Sequence, residues 1–129
     1  MNNVKEVVVG TQVYGPVNES SDIDIVLRSD FADDLSDKLS QYGIDIYRTE
    51  EQERRNYLGY YFNIGSLTFN IIVAATNEEL KCWGAAKEQM LTMMPIKDRE
   101  KRIETFSKFF KQAVEELGVL ESSLNYKIG

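Results

Sequence analysis

The chain has 129 residues, 43% of them apolar, which suits one domain with a core of ordinary size. Against 15 basic residues it carries 21 acidic ones, and the net charge of −6 argues against broad nucleic-acid binding, where a basic face is expected. Histidine is absent and Cys82 is the single cysteine, which excludes Ser-His-Asp and Cys-His mechanisms, His-bearing zinc sites and any intrachain disulfide.

A lone thiol suits a reducing compartment, so a cytoplasmic setting is expected. No apolar run reaches the ~18 residues that span a bilayer, and the apolar part of "MNNVKEVVVG" is too short for a signal peptide. No membrane partner is expected.

In chain order, "VKEVVVG" (4–10) is β-branched and stopped by glycine, which predicts a buried strand. Residues 11–21 read as a loop, with Gly15-Pro16 as a turn signal. "DIDIVLR" (22–28) alternates acidic and apolar residues and then turns apolar, predicting a second strand beside the first. "SDFADDLSDKLSQYG" (29–43) predicts an amphipathic helix capped by Ser29 or Asp30, with Phe31, Leu35 and Leu39 on one side and Gly43 as its stop. "IDIYR" (44–48) predicts a short strand, and "TEEQERRN" (49–56) a charged, solvated connection.

"YLGYYFNIGSLTFNIIVA" (57–74) predicts a hairpin with arms at about 57–63 and 67–74. Thr76 or Asn77 caps a helix to residue 91, with Glu78 and Glu79 in its first turn. Residues 96–118 predict the longest helix, with Ile103, Phe106, Phe110, Ala113, Val114 and Leu117 as its buried stripe. The last ten residues read as a loose tail or a docking segment. The order β-β-α-β-β-β-α-α predicts a single α+β (α/β) domain, a mixed sheet of about five strands with helices mainly on one face.

The stretch "GTQVYGPVNESSDIDIVL" (10–27) carries the chemistry. Alternation along a strand points Asp22 and Asp24 the same way, roughly 7 Å apart. Two carboxylates on one side suit a hard divalent cation such as Mg²⁺, which takes one or two carboxylates together with substrate phosphates. Gly10-Thr11 ends the preceding strand, where a close backbone approach and free N–H groups would favour phosphate oxygens.

Gly10-Thr11, ten intervening residues and Asp22-Ile23-Asp24 resemble the motif of polymerase-β-like nucleotidyltransferases, usually Gly-Ser, a gap near ten, and Asp-X-Asp. Tyr14-Gly15 is similar to that family's second glycine, and "SSDIDIVL" to its second strand. The resemblance covers about residues 4–90; the last long helix has no specific match. It implies Mg²⁺ or Mn²⁺ as cofactor, held by Asp22 and Asp24, and an NTP substrate whose phosphates lie over Gly10, Thr11, Gln12, Gly15 and Ser21. It further implies transfer of a nucleoside monophosphate to an acceptor hydroxyl on a partner protein or small molecule.

The chain departs from that family in places. The third carboxylate, normally on a hairpin arm leading into a helix, falls at Asn70 in "TFNIIVAATNEEL". An amide can offer a neutral oxygen to a metal but cannot take the proton of an attacking hydroxyl. Asp45 is the alternative third carboxylate, against a plain solvent-facing position. Thr11 stands where serine is usual, and Gln12 where many members carry arginine. Lys81 and Lys87 could supply charge to a triphosphate, or form a solvated helix face. Trp83 and Cys82 read as core, and the Lys97, Arg99, Lys101, Arg102 cluster as a solvated face. A catalytically inactive nucleotide-binding or regulatory/protein-interaction module of the same fold is the alternative function.

Overall fold

The computed structural model describes residues 6–9, 22–50, 58–93 and 96–126. Four strands, β1 (Glu6–Val9), β2 (Ile23–Arg28), β3 (Gly59–Ile64) and β4 (Leu67–Ala74), form one mixed sheet in the order β1-β2-β4-β3. Among the described residues there are three α-helices: α1 (Ser29–Gln41) follows β2, α2 (Asn77–Leu91) follows β4, and α3 (Arg99–Leu117) follows α2 and packs on it. β1 is antiparallel to β2, β2 is parallel to β4, and β3 is antiparallel to β4. The class is therefore mixed α and β, as expected.

The strand count is four among the described residues, not about five. Segment 44–48 contributes only an isolated bridge, Tyr47 to Tyr61. After Gly43 (φ +73°), Ile44 turns back onto α1 and its N–H donates to the Leu39 carbonyl at 2.9 Å. Tyr47 alone then exchanges backbone hydrogen bonds with Tyr61, at 2.9 and 2.7 Å.

Of the three described helices, α2 and α3 share one face of the sheet and α1 covers the other. Successive strand side chains point to opposite faces, so the register sorts them. Val26, Ile72 and Ala74 face α2 and α3, packing with Leu80, Trp83, Ala86, Met90, Phe106 and Phe110. Ile25, Leu27, Phe69, Ile71 and Val73 face the other way, with Tyr60 and Phe62 from β3, and meet Phe31, Ala32, Leu35 and Leu39 of α1. The Tyr60 hydroxyl donates to the Ala32 carbonyl at 2.7 Å, fixing α1 to that face. A sheet covered on both sides explains why "IVL" and "IIVA" are continuous apolar runs.

Helix boundaries follow local chemistry. β2 runs into α1 without a loop, and Arg28, not Ser29 or Asp30, occupies the N-cap, with no side-chain cap bond. Its guanidinium instead bonds the Asp30 carboxylate and donates to Asn77 Oδ1 at 2.8 Å, joining the starts of α1 and α2. Thr76 caps α2 as expected, its Oγ1 accepting from the Glu79 N–H at 3.0 Å. The hairpin β3–β4 closes through Gly65, whose φ of +59° a side chain would resist.

On α3 the buried stripe is Phe106, Phe110, Ala113 and Val114, while Ile103 and Leu117 are 38% and 51% exposed. Those two lie toward the helix ends, outside the stretch that meets Trp83. Gly118, at φ +65°, ends α3, and the Val119 N–H reaches the Val114 carbonyl at 3.0 Å. Residues 119–126 dock against the helices. Leu124 is buried, and the Tyr126 ring meets Trp83 edge-on at 4.9 Å and Phe110 at 4.5 Å.

Candidate functional site

The register sets the site. Asp24 of β2 is the Cα partner of Asn70 on β4, and Asn70 is the partner of Tyr61 on β3. These three side chains therefore share one face, the face that α2 and α3 cover further along, at Val26, Ile72 and Ala74. Asp22, one pleat before Asp24, points the same way. At this end of the sheet that face is polar, with Thr68 and Asn63 paired in the next row. The opposite face at the same level is apolar, with Phe69 stacked on Phe62 at 4.9 Å.

The electrostatics mark Asp24. Burial pushes its carboxyl up to about 7, the Asn70 amide donates a hydrogen bond that partly offsets this, and the nearby Asp22 charge pushes it up again. Asp22 is itself raised by burial. Two acids thus sit close enough to repel, in a partly dehydrated place, with a neutral amide across from one of them. Among the described residues, no group of three or more Asp, Glu, Cys or His side chains could hold a metal ion, so this pair has no third carboxylate there.

Asp45, the alternative third carboxylate, is not brought to the pair. It is exposed and lies two residues before Tyr47, which is bridged to the outer side of β3. With β4 and β3 between, that is about 14 Å from β2 at the usual strand spacing. The strand order places it at the opposite edge, a matter that alternation within 44–48 could not settle.

β1 ends at Val9, the register partner of Asp24, so this end of β1 lies beside the acidic pair. Gly10, Thr11, Gln12, Gly15 and Ser21 lie outside the described residues. Lys81 is exposed and Lys87 half-buried. Cys82 and Trp83 are core, as expected.

Two features were not foreseen. The first is an aromatic pair that continues the row: Tyr47 stacks on Tyr61 with centroids 5.7 Å apart and planes within 22°, and the Tyr47 hydroxyl donates to Asn63 Oδ1 at 3.3 Å. The alternation in "YYFNI" hinted which tyrosine would face the acids, but only the register places it in the row. The second is Glu79, fully buried at the start of α2, whose carboxylate accepts the N–H groups of Ala75, Asn125 and Tyr126 at 2.8, 2.8 and 2.9 Å. The Thr76-to-Glu79 spacing of a capping box was its sequence signal.

Comparison with protein-family models, with curated proteins and with solved structures finds no match to this chain. No helix among the described residues is long and apolar enough to cross a membrane.

Proposed function

We propose that this chain is a nucleotidyltransferase-like domain that binds a nucleoside triphosphate with Mg²⁺ or Mn²⁺ and passes its nucleoside monophosphate to an acceptor hydroxyl. The observation that carries the reading is the convergence of Asp22 and Asp24 on one face with Asn70 directly across from Asp24. It is supported by the motif resemblance, which assigns the triphosphate to Gly10, Thr11, Gln12, Gly15 and Ser21. The chain's lone cysteine suits the cytoplasmic setting we infer for it.

The donor set fits the ion. Two carboxylates within repelling distance and a neutral amide beside them suit a hard cation that keeps waters and shares substrate phosphates. Asp22 and Asp24 would hold it, and when bound it would supply charge neutralisation for an in-line displacement. In that displacement the acceptor oxygen bonds the α-phosphorus, the bond to the bridging oxygen breaks and pyrophosphate leaves. The hydroxyl proton needs a base, and Asn70 cannot be one. Transfer is therefore slow, its proton leaving to solvent.

A second reading, a nucleotide-binding module that transfers nothing, is favoured by one observation: the Asn70 amide spends a donor on Asp24 where a family member would place its third acid. A labelled-NTP transfer assay with Mg²⁺ separates the two. Slow transfer by the wild type, lost in Asp22→Ala and raised in Asn70→Asp, supports the enzyme. No transfer by either the wild type or Asn70→Asp, with nucleotide binding intact, supports the module.

A further inference from the structure

Across the sheet, the row on the acidic face runs from the β1 end, through Asp24 on β2 and Asn70 on β4, to Tyr61 on β3 and Tyr47 beyond. Asp24 and Tyr61 are two strand spacings apart, about 10 Å. If a triphosphate lies toward the β1 end, the attacking group must approach from the other side of Asp24, which is the side of Asn70 and the tyrosines.

The two rings are held for contact. Reciprocal backbone bonds between Tyr47 and Tyr61 fix their spacing, and the Tyr47 hydroxyl is tethered to Asn63. Tyr47 is 41% exposed although it is stacked, so its ring also meets solvent. Aromatic rings in this arrangement accept flat ligands by stacking, without sequence-specific contacts. The net charge of −6 disfavours a long polyanionic strand, which leaves a small ligand with one planar ring.

We propose that Tyr61 and Tyr47 form an acceptor-side platform that stacks a nucleoside-like planar ring beside Asn70. This rests on the nucleotidyl-transfer reading for its orientation, but the ring site itself can be tested apart from it. Loss of one base–aromatic stack weakens binding about fivefold or more.

The test uses saturation-transfer NMR with adenosine and no metal, on wild type, Tyr47→Leu, Tyr61→Leu and Tyr47→Phe. We expect saturable binding to wild type, at least a fivefold loss in both leucine variants, and retention in Tyr47→Phe. Thermal melts and calorimetric binding of Mg-tripolyphosphate, unchanged in Tyr47→Leu, show that the fold and acidic pair are intact. Adenosine affinity unaltered by a non-hydrolysable Mg-ATP analogue supports the acceptor side. No adenosine binding, equal binding in the leucine variants, or competition by the analogue would each overturn the proposal. Undiminished Mg-tripolyphosphate binding in Asp24→Asn would instead count against the metal reading, leaving a ring site without that orientation.

Discussion

Asp24 and Asn70 are paired across the parallel β2–β4 ladder, and the amide of one donates to the carboxylate of the other. That contact places a neutral group where a third acid, beside Asp22 and Asp24, would have made the cluster strongly repulsive without a cation. Asn70→Asp therefore has opposite consequences with and without metal. It replaces a charge-assisted hydrogen bond, worth about 1.5–3 kcal/mol, by repulsion. In chelator the variant should melt at a lower temperature than wild type, and millimolar Mg²⁺ should restore much of the loss. Equal melting in both media would show that position 70 does not face the acids.

The pH dependence follows from Asp24. Its carboxyl is raised to about 7 by burial, above the value near 4 of an unfolded chain. The folded state thus binds this proton more tightly, and the contribution is present below the unfolded value and lost as pH rises through 7. The change across that window is at most about 4 kcal/mol, from three pH units at 1.36 kcal/mol each. Asp24→Asn keeps the neutral shape and should flatten the profile, making the variant more stable than wild type at neutral pH without metal. Urea unfolding of both proteins between pH 4 and 8 checks this; parallel profiles would contradict it.

Glu79 locks the last described segment to the rest. Its two oxygens take three backbone N–H groups, and Asn125 Nδ2 donates to the Val73 carbonyl at 2.8 Å. Glu79→Ala leaves those part-buried donors without their acceptor, at about 1 kcal/mol each, the low end for an unsatisfied group, so a total loss of about 3 kcal/mol is expected. Hydrogen exchange should show the Asn125 and Tyr126 amides losing protection before the amides of β4. Protection unchanged at both amides would exclude the lock.

Phe110 is fully buried between Trp83, Phe106 and Tyr126. Phe110→Ala should cost about 3–5 kcal/mol in chemical denaturation. By contrast, Ile103→Ala, at a 38% exposed position, should cost much less. Similar losses at the two sites would refute the division of the α3 stripe.

Most elements were legible because their signals are local. Strand alternation put Asp22 and Asp24 on one side, and the Thr76 cap and the glycine turn of the hairpin were visible in the residues themselves. What lay between elements was not. The run "IVL" permits a strand buried on both faces but does not say that α1 takes one and α2 with α3 the other. Asp45 looked available because its own segment alternates; the strand order, which no local pattern encodes, put it at the far edge. The Tyr47–Tyr61 pair was hidden for the same reason, since a single cross-strand bridge creates it. Ser29 and Asp30 are good capping residues, yet Arg28 took the cap because β2 leads into α1 with no intervening residue.

The central claim is that Asp22 and Asp24 together hold a metal-bound nucleotide, and titration calorimetry of Mg-ATP tests it most directly. Wild type should bind only with the metal present, and Asp22→Ala and Asp24→Ala should each weaken binding at least tenfold while remaining folded by circular dichroism. Equal affinity in wild type and both variants would contradict the account.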